Sequence, residues 1–375
     1  MKKIIISSYV LLLLVFTFFS YLFIDRNLLY MSKLYTGFFT LHREIASLIF
    51  VSLVLSSFVF YFQFLRMYLN NELNRKEIKW IVGTTSLILI FSYPAMLSYD
   101  IFNYIFTAKV LYFYRENPYI IMPIQFIGDP FLSFTHAANK VALYGPSWIG
   151  ITGLPYVLGI GNFILTLFNL KLLIAFFYLA TSWIIYKISK DLFPVILFSL
   201  NPLVIIETLV SGHNDIVMVF FALCGLFFLE KNKIFPSIIS LLLSVLIKYS
   251  TLLLSPVFLY VSYLKINKKT VNWEKIYSSC AILMMIPFFL SPLREEIYPW
   301  YAIWFLAFAV LQKNKFILYI SLTFSFSLLF RYVPFMFLGT HMGPTPIIKT
   351  LITFVSPLVV LLWYALNKKL RKDRW

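Results

Sequence analysis

Long apolar runs recur from Ile4 to within a few residues of the C-terminus, and that recurrence constrains the fold more than any motif does. A helix needs about 20 mainly apolar residues to cross the ~30 Å hydrocarbon core of a bilayer. Residues 4–23, 45–65, 80–98, 166–186, 194–210, 216–229, 234–247, 249–264, 275–292, 300–312, 315–333 and 349–366 meet or approach that requirement. With 61% of residues hydrophobic, the chain lies well above the roughly 45–50% of a soluble domain. No stretch is left for a sizeable soluble unit. The reading is therefore a single all-α integral membrane domain over residues 1–375, a polytopic bundle of about 12 (range 10–13) transmembrane helices. The shortest runs cannot cross a bilayer unaided, so they are longer than drawn or reach into a bundle around a water-filled cavity. The first run follows Met1-Lys2-Lys3 as a signal peptide would, yet it is long and lacks a small-residue cleavage site, so it reads as a retained span.

A net charge of +17 raises the question of nucleic acid, but the basic residues sit in short clusters between apolar runs, the pattern that encodes membrane topology. With the N-terminus inside, 21 of the 32 Lys and Arg residues fall on inner segments, which places both termini on the cytoplasmic side. No nucleic-acid partner is expected. This topology rests on two assignments. Residues 147–165 form an outer-leaflet helix that does not cross, and the run from Ile234 to Leu264 turns back at Lys248. The longest loop, residues 99–146, then lies outside, and its IFNYIFTAKVLYFYRENPY stretch reads as an amphipathic helix along the interface. Cys224 and Cys280 lie within apolar runs without CxxC spacing, so neither a disulfide nor a metal site is indicated. There is no internal repeat and no GxxxxGK[ST] phosphate loop.

In this topology the polar residues hardest to explain structurally converge on the outer face: Asp100, Glu207, His213-Asn214-Asp215, Lys248, Glu295-Glu296, Arg331 and His341. A carboxylate there suits general-base work, accepting the proton of an acceptor hydroxyl as it attacks an anomeric carbon through an oxocarbenium-like transition state. Asp100 is the candidate, against the plainer account that it caps the helix starting at Ile101. Lys248, within some thirty apolar residues, calls for a partner, and a lipid phosphate would suit it. Arg331 could hold the same phosphate bidentately, unless both merely snorkel to the interface. Gly212 to Asp215 could equally be a tight turn with Asp215 as a cap. Trp300, Tyr301 and Trp304 fit an ordinary aromatic belt as well as a sugar-stacking surface.

SYDIFNY with the ENPY that closes its helix, YGPSW, NPLVIIE followed by GHNDIVM, the lysine of LIKYS, and YPWYAIW occur here in one order. Together they resemble the GT-C superfamily of polyprenyl-phosphate-sugar glycosyltransferases, and most closely the bacterial polyprenyl-phosphate-mannose α-mannosyltransferases. The resemblance implies an inverting transfer, with Asp100 as general base and polyprenyl phosphate as leaving group. It implies Lys248 and Arg331 as donor phosphate-binding residues. Tyr99, Asn103, Tyr104, Tyr144, Glu207, His213, Asn214, Asp215, Trp300 and Tyr301 become substrate-binding candidates. Many members carry two adjacent acidic residues in the first loop, whereas Tyr99 precedes Asp100 here, so no metal pair is supported and no cofactor is expected. The implied partners are a polyprenyl-phosphate hexose donor, mannose first among the sugars, a glycolipid or glycan acceptor, and membrane lipids. The setting is the outer face of the cytoplasmic membrane. The competing class is a multi-span transporter or lipid flippase, which would usually show two similar halves.

Overall fold

A computed structural model describes residues 2–293 and 295–372, with the side chains of the last helix described through Leu366. The described residues form helices and irregular connections without strands. Seven helices are long and apolar enough to cross a membrane: Lys2–Phe23, Arg43–Leu69, Phe163–Ser189, Tyr249–Ile266, Trp273–Leu293, Lys315–Leu338 and Thr345–Leu366. Phe193–Ser199 and Pro202–Val210, bent by 53°, add an eighth if they count as one broken span. The chain is thus a polytopic helical membrane protein, with seven or eight such helices among the described residues where twelve spans were expected.

The shorter segments have local causes. The run expected at 80–98 begins earlier, at Arg75, because Asn74 and Glu77 form a reciprocal capping box. It ends at Leu89, since Pro94 lacks a backbone donor and holds Tyr93 in an extended conformation. Residues 147–165 are not one helix either: Pro146–Leu158 is helical, the chain turns through Gly159 to Asn162, and the long Phe163–Ser189 helix follows.

Segments that alternation assigns to one face do meet in space. Lys2 pairs with Glu77 at 2.7 Å, the Tyr68 hydroxyl donates to Asp191 at 2.6 Å, and Arg75 lies 4.6 Å over Tyr186. The Tyr277 hydroxyl donates to Glu230 at 2.7 Å, and Lys265 lies over Trp273. All of these belong to the expected inner clusters. Asp100, Lys248, Tyr301, Arg331 and His341, expected opposite them, meet around one cavity.

The helix Asp100–Tyr112 exists, but it is not an interfacial amphipathic helix: Ile101 to Ala108 are buried all round. Its cover is the remainder of its own loop. Phe134 packs on Phe102 at 5.2 Å between ring centroids, and Trp148 packs on Tyr104 at 5.0 Å. The cover is tied down by Asp129, which pairs with Lys109 at 2.6 Å and accepts from the Tyr114 hydroxyl and the Phe131 amide. Burial alone would raise the Asp129 carboxyl, but its bonds to Lys109 and Tyr114 outweigh that and hold it below the usual range.

Removing one partner of a buried pair leaves an uncompensated charge, so Asp129→Ala is expected to destabilise the chain by about 3–5 kcal/mol. Thermal unfolding in detergent, with limited proteolysis between residues 113 and 145, measures this. An Asp129→Ala protein with unchanged unfolding and unchanged cleavage would show that the pair does not hold the cover.

Candidate active site

Asp100 is the first residue of its helix, and the Phe102 and Asn103 amides that a capping side chain would take donate to Tyr99 O at 3.1 and 3.3 Å. Capping therefore does not account for Asp100. Its carboxylate is 28% exposed on the wall of a cavity of about 820 Å³, with one oxygen 3.5 Å from Nδ1 of His213. Burial would raise its proton affinity, but the neighbouring His213 imidazole and the charge of Lys248 more than offset that, and the carboxyl is held below the usual Asp range.

Behind the wall lies a fully buried layer made by the sequence from Asn201 to Asp215. The Asn201 side chain accepts from the Leu203 amide and Pro202 opens the next turn, so the chain bends there. It then widens into a π-turn at Ile206–Val210, a local geometry that often accompanies function. Gly212 follows with φ +78°, a left-handed conformation, and a Cβ there would sit 2.7 Å from the Ile101 side chain. This turn delivers His213 between two carboxylates, with Nε2 3.4 Å from Glu207 and Nδ1 toward Asp100. Glu207 also accepts from the Tyr332 hydroxyl at 2.9 Å, and Trp300 stacks on the imidazole at 3.8 Å. Tyr104 accepts the Asn214 amide hydrogen. Asp215 begins the next helix without capping it; its carboxylate accepts from Lys248 at 2.8 and 2.7 Å and from the indole of Trp304.

Lys248 stands at the break between the helix Ile234–Val245 and the turn Tyr249–Leu254, as the hairpin reading requires. The YGPSW segment fixes that break. The Gly145 amide donates to Ile247 O at 3.1 Å and the Ser147 amide to Leu246 O at 3.0 Å. The approach is so close that a Cβ on Gly145 would lie 2.1 Å from Leu246 O. Two donors of Lys248 serve Asp215, and the ammonium still reaches the cavity.

Another part of the wall carries Arg331, which bonds Glu296 at 3.0 Å, Thr353 at 2.6 Å and the Lys349 carbonyl at 3.1 Å; Lys349 joins the same Glu296 at 3.1 Å. His341 stacks on Phe335 at the rim. Of the residues expected at the site, Tyr99, Asp100, Asn103, Tyr144, Lys248, Trp300, Tyr301 and Arg331 line the cavity. Tyr104, Glu207, His213, Asn214 and Asp215 do not line it and lie buried behind its wall. Among the described residues no three of His, Cys, Asp and Glu converge as metal ligands.

Sequence reasoning missed Lys349, which looked like the start of a span, and Lys171. Lys171 is buried in the middle of the Phe163–Ser189 helix, and its ammonium donates to Ser92 O at 2.5 Å, Ser92 Oγ at 3.1 Å, Leu89 O at 3.3 Å and Val210 O at 3.4 Å. It ties the end of the helix before Asp100 to the residue that precedes Ser211-Gly212-His213. A lysine well inside a 27-residue apolar helix was the available signal.

Residues 10–263 match the family model described as alpha-(1->6)-mannopyranosyltransferase, N-terminal domain. That range holds Asp100, the buried layer and Lys248, while Trp300, Arg331 and Lys349 lie beyond it. No curated protein and no solved structure matches the chain.

The Gly145 contact makes a paired prediction. Gly145→Ala must push Leu246 away, an overpacking that costs roughly 1–3 kcal/mol. Gly150→Ala, in the same helical region with nothing within 4 Å of the added Cβ, is expected to be neutral or to gain up to about 1 kcal/mol. Thermal unfolding of both variants in detergent checks the contrast, and equal stabilities would remove the argument that YGPSW positions Lys248.

Proposed function

The chain belongs to the alpha-(1->6)-mannopyranosyltransferase family, and on that premise we propose that it transfers mannose from a polyprenyl-phosphate donor to a hydroxyl of a glycolipid or glycan. The supporting observation is that one cavity presents both an ionised carboxylate, Asp100, and the cations a lipid phosphate requires, Lys248 and the Arg331–Lys349 pair.

In this reaction the acceptor hydroxyl gives its proton to Asp100 as its oxygen bonds to the anomeric carbon. The bond from that carbon to the phosphate oxygen breaks, and its electron pair leaves with the polyprenyl phosphate. Negative charge grows on the leaving phosphate, where the third donor of Lys248 and the free donors of Arg331 meet it. These cations belong to the chain, so the reading calls for no cofactor. A single displacement inverts the anomeric centre, so an α-linked product requires a β-linked donor. The basic clusters opposite the cavity favour an active site on the outer face of the cytoplasmic membrane, with both termini inside. The buried layer backs the base: His213 lies 3.4 Å from Glu207 and 3.5 Å from Asp100, and its proximity lowers the Asp100 carboxyl.

With purified protein in nanodiscs and β-mannosyl phosphopolyprenol as donor, Asp100→Asn is expected to lower kcat by about 10²–10⁴ with folding unchanged. Full activity in that variant would discard Asp100 as the base. The pH profile supplies a second prediction. Asp100 must be ionised to act, and its pKa is lowered, so kcat/KM should stay flat down through the ordinary Asp range near pH 4 and fall only below it. His213→Phe removes a cause of the lowering while burial persists, so the acid limb should move to higher pH. An unmoved limb would show that His213 does not tune the base.

A further inference from the structure

The aromatic groups around the cavity differ in what they have left to offer a sugar. Trp300 is stacked by His213 at 3.8 Å and by Tyr298 at 4.5 Å, so both ring faces are taken. Trp304 packs on Tyr301 at 4.1 Å and commits its indole N–H to Asp215. His136 is different. One face of its imidazole stacks on Tyr99 at 3.5 Å and 13°, while its side chain is 51% exposed where it lines the cavity. Asp25 underlies this pair: its Oδ1 accepts the Asn27 amide at 2.8 Å, and its Oδ2 accepts the Tyr99 hydroxyl at 3.3 Å and lies 3.9 Å from His136 Nε2.

The platform is also tied to the proposed base. Tyr99 adjoins Asp100 in sequence, and Asn103, one turn further along the same helix, accepts the Ala137 amide hydrogen at 3.2 Å, fixing the residue after His136. A ring face open to the cavity with a carboxylate base alongside is the arrangement a hexose site uses, since planes pack on the CH face of a pyranose; Asp25 is not part of the cavity lining and holds the platform from behind.

We propose that His136 and Tyr99, held from behind by Asp25, form the acceptor subsite, with the acceptor hexopyranose lying on the His136 face. This rests on the mannosyl-transfer reading. The linkage in the family's description gives the geometry a reason: a hydroxyl on the exocyclic carbon stands one bond outside the ring. A ring held on His136 can extend that arm toward Asp100, while the donor occupies the side bearing Lys248 and Arg331. None of the three residues touches the donor phosphate cations, so the subsite governs acceptor affinity and not donor affinity.

The test uses full-length protein in nanodiscs, β-mannosyl phosphopolyprenol as donor and octyl α-mannopyranoside as acceptor probe. His136→Ala is expected to raise acceptor KM about tenfold, with kcat and donor KM within about twofold of the parent. His136→Phe, which restores a planar face, should bring acceptor KM back to within about threefold. An unchanged acceptor KM in His136→Ala, or an equal rise in donor KM, overturns the subsite while leaving mannosyl transfer standing. Saturation-transfer NMR of octyl α-mannopyranoside binding supplies a readout without turnover. If the parent protein binds the probe through His136 yet transfers no mannose, the transfer reading fails and the subsite survives. Binding that is equal in the parent and in His136→Ala sinks the subsite.

Discussion

The ion pair between Asp215 and Lys248 is the contact on which the site depends, because it joins segments that no backbone ladder connects. Asp215 closes the turn after the broken helix, Lys248 sits at the break between two others, and Trp304 adds a third partner from the segment after Pro299. Charges in an apolar bundle are expensive unless matched, and removing one member of such a pair costs about 3–5 kcal/mol. Lys171 has no carboxylate partner among its contacts and is satisfied instead by carbonyl and hydroxyl oxygens on two segments. One cation holds the GHND turn from the cavity side and the other holds its approach from within the bundle. The turn has little freedom left.

This arrangement separates the polar residues into two populations. Those with a face on the cavity, Asp100, Lys248 and Arg331, are each held by a partner with much less exposure or by a carbonyl: His213 for Asp100, Asp215 for Lys248, and Thr353 and the Lys349 carbonyl for Arg331. Pre-organisation of this kind is what a site needs if its groups are to act without reorganising as charge develops. It also explains where the irregular backbone lies. The π-turn and the left-handed Gly212 serve the buried supports, and the close approach of Gly145 to Leu246 fixes the break at Lys248.

Much of this was legible in the sequence. Apolar run lengths and the alternation of basic clusters give the membrane class, and the outlying polar residues identify the cavity, because a charge in an apolar run needs a reason whatever the fold. The depth of each residue was not legible. Tyr104 stands in the same motif as Asn103, yet only Asn103 reaches the cavity, since helix rotation and the cover from Pro130 to Trp148 decide exposure. The Asp100–Tyr112 helix misled for a related reason: its hydrophobic faces look interfacial until its own loop is folded over it. Helix lengths depart from the apolar runs where one helix stops short of Pro94 and where Asn201-Pro202 bends another.

The position of His213 bears on why the proposed base is an aspartate held by an imidazole and not by another lysine. A lysine buried between Asp100 and Glu207 would present a compact charge with freely rotating donors. The imidazole is planar, and Trp300 stacked on it fixes the ring's orientation. Its two nitrogens lie on opposite edges, so a single ring can address both carboxylates at once. That geometry brings one ring nitrogen within 3.5 Å of one oxygen of Asp100, whose carboxylate lines the cavity. A base that must meet a hydroxyl delivered from the membrane surface has to be ionised, partly exposed and fixed in direction, and His213 is the group that reconciles the three.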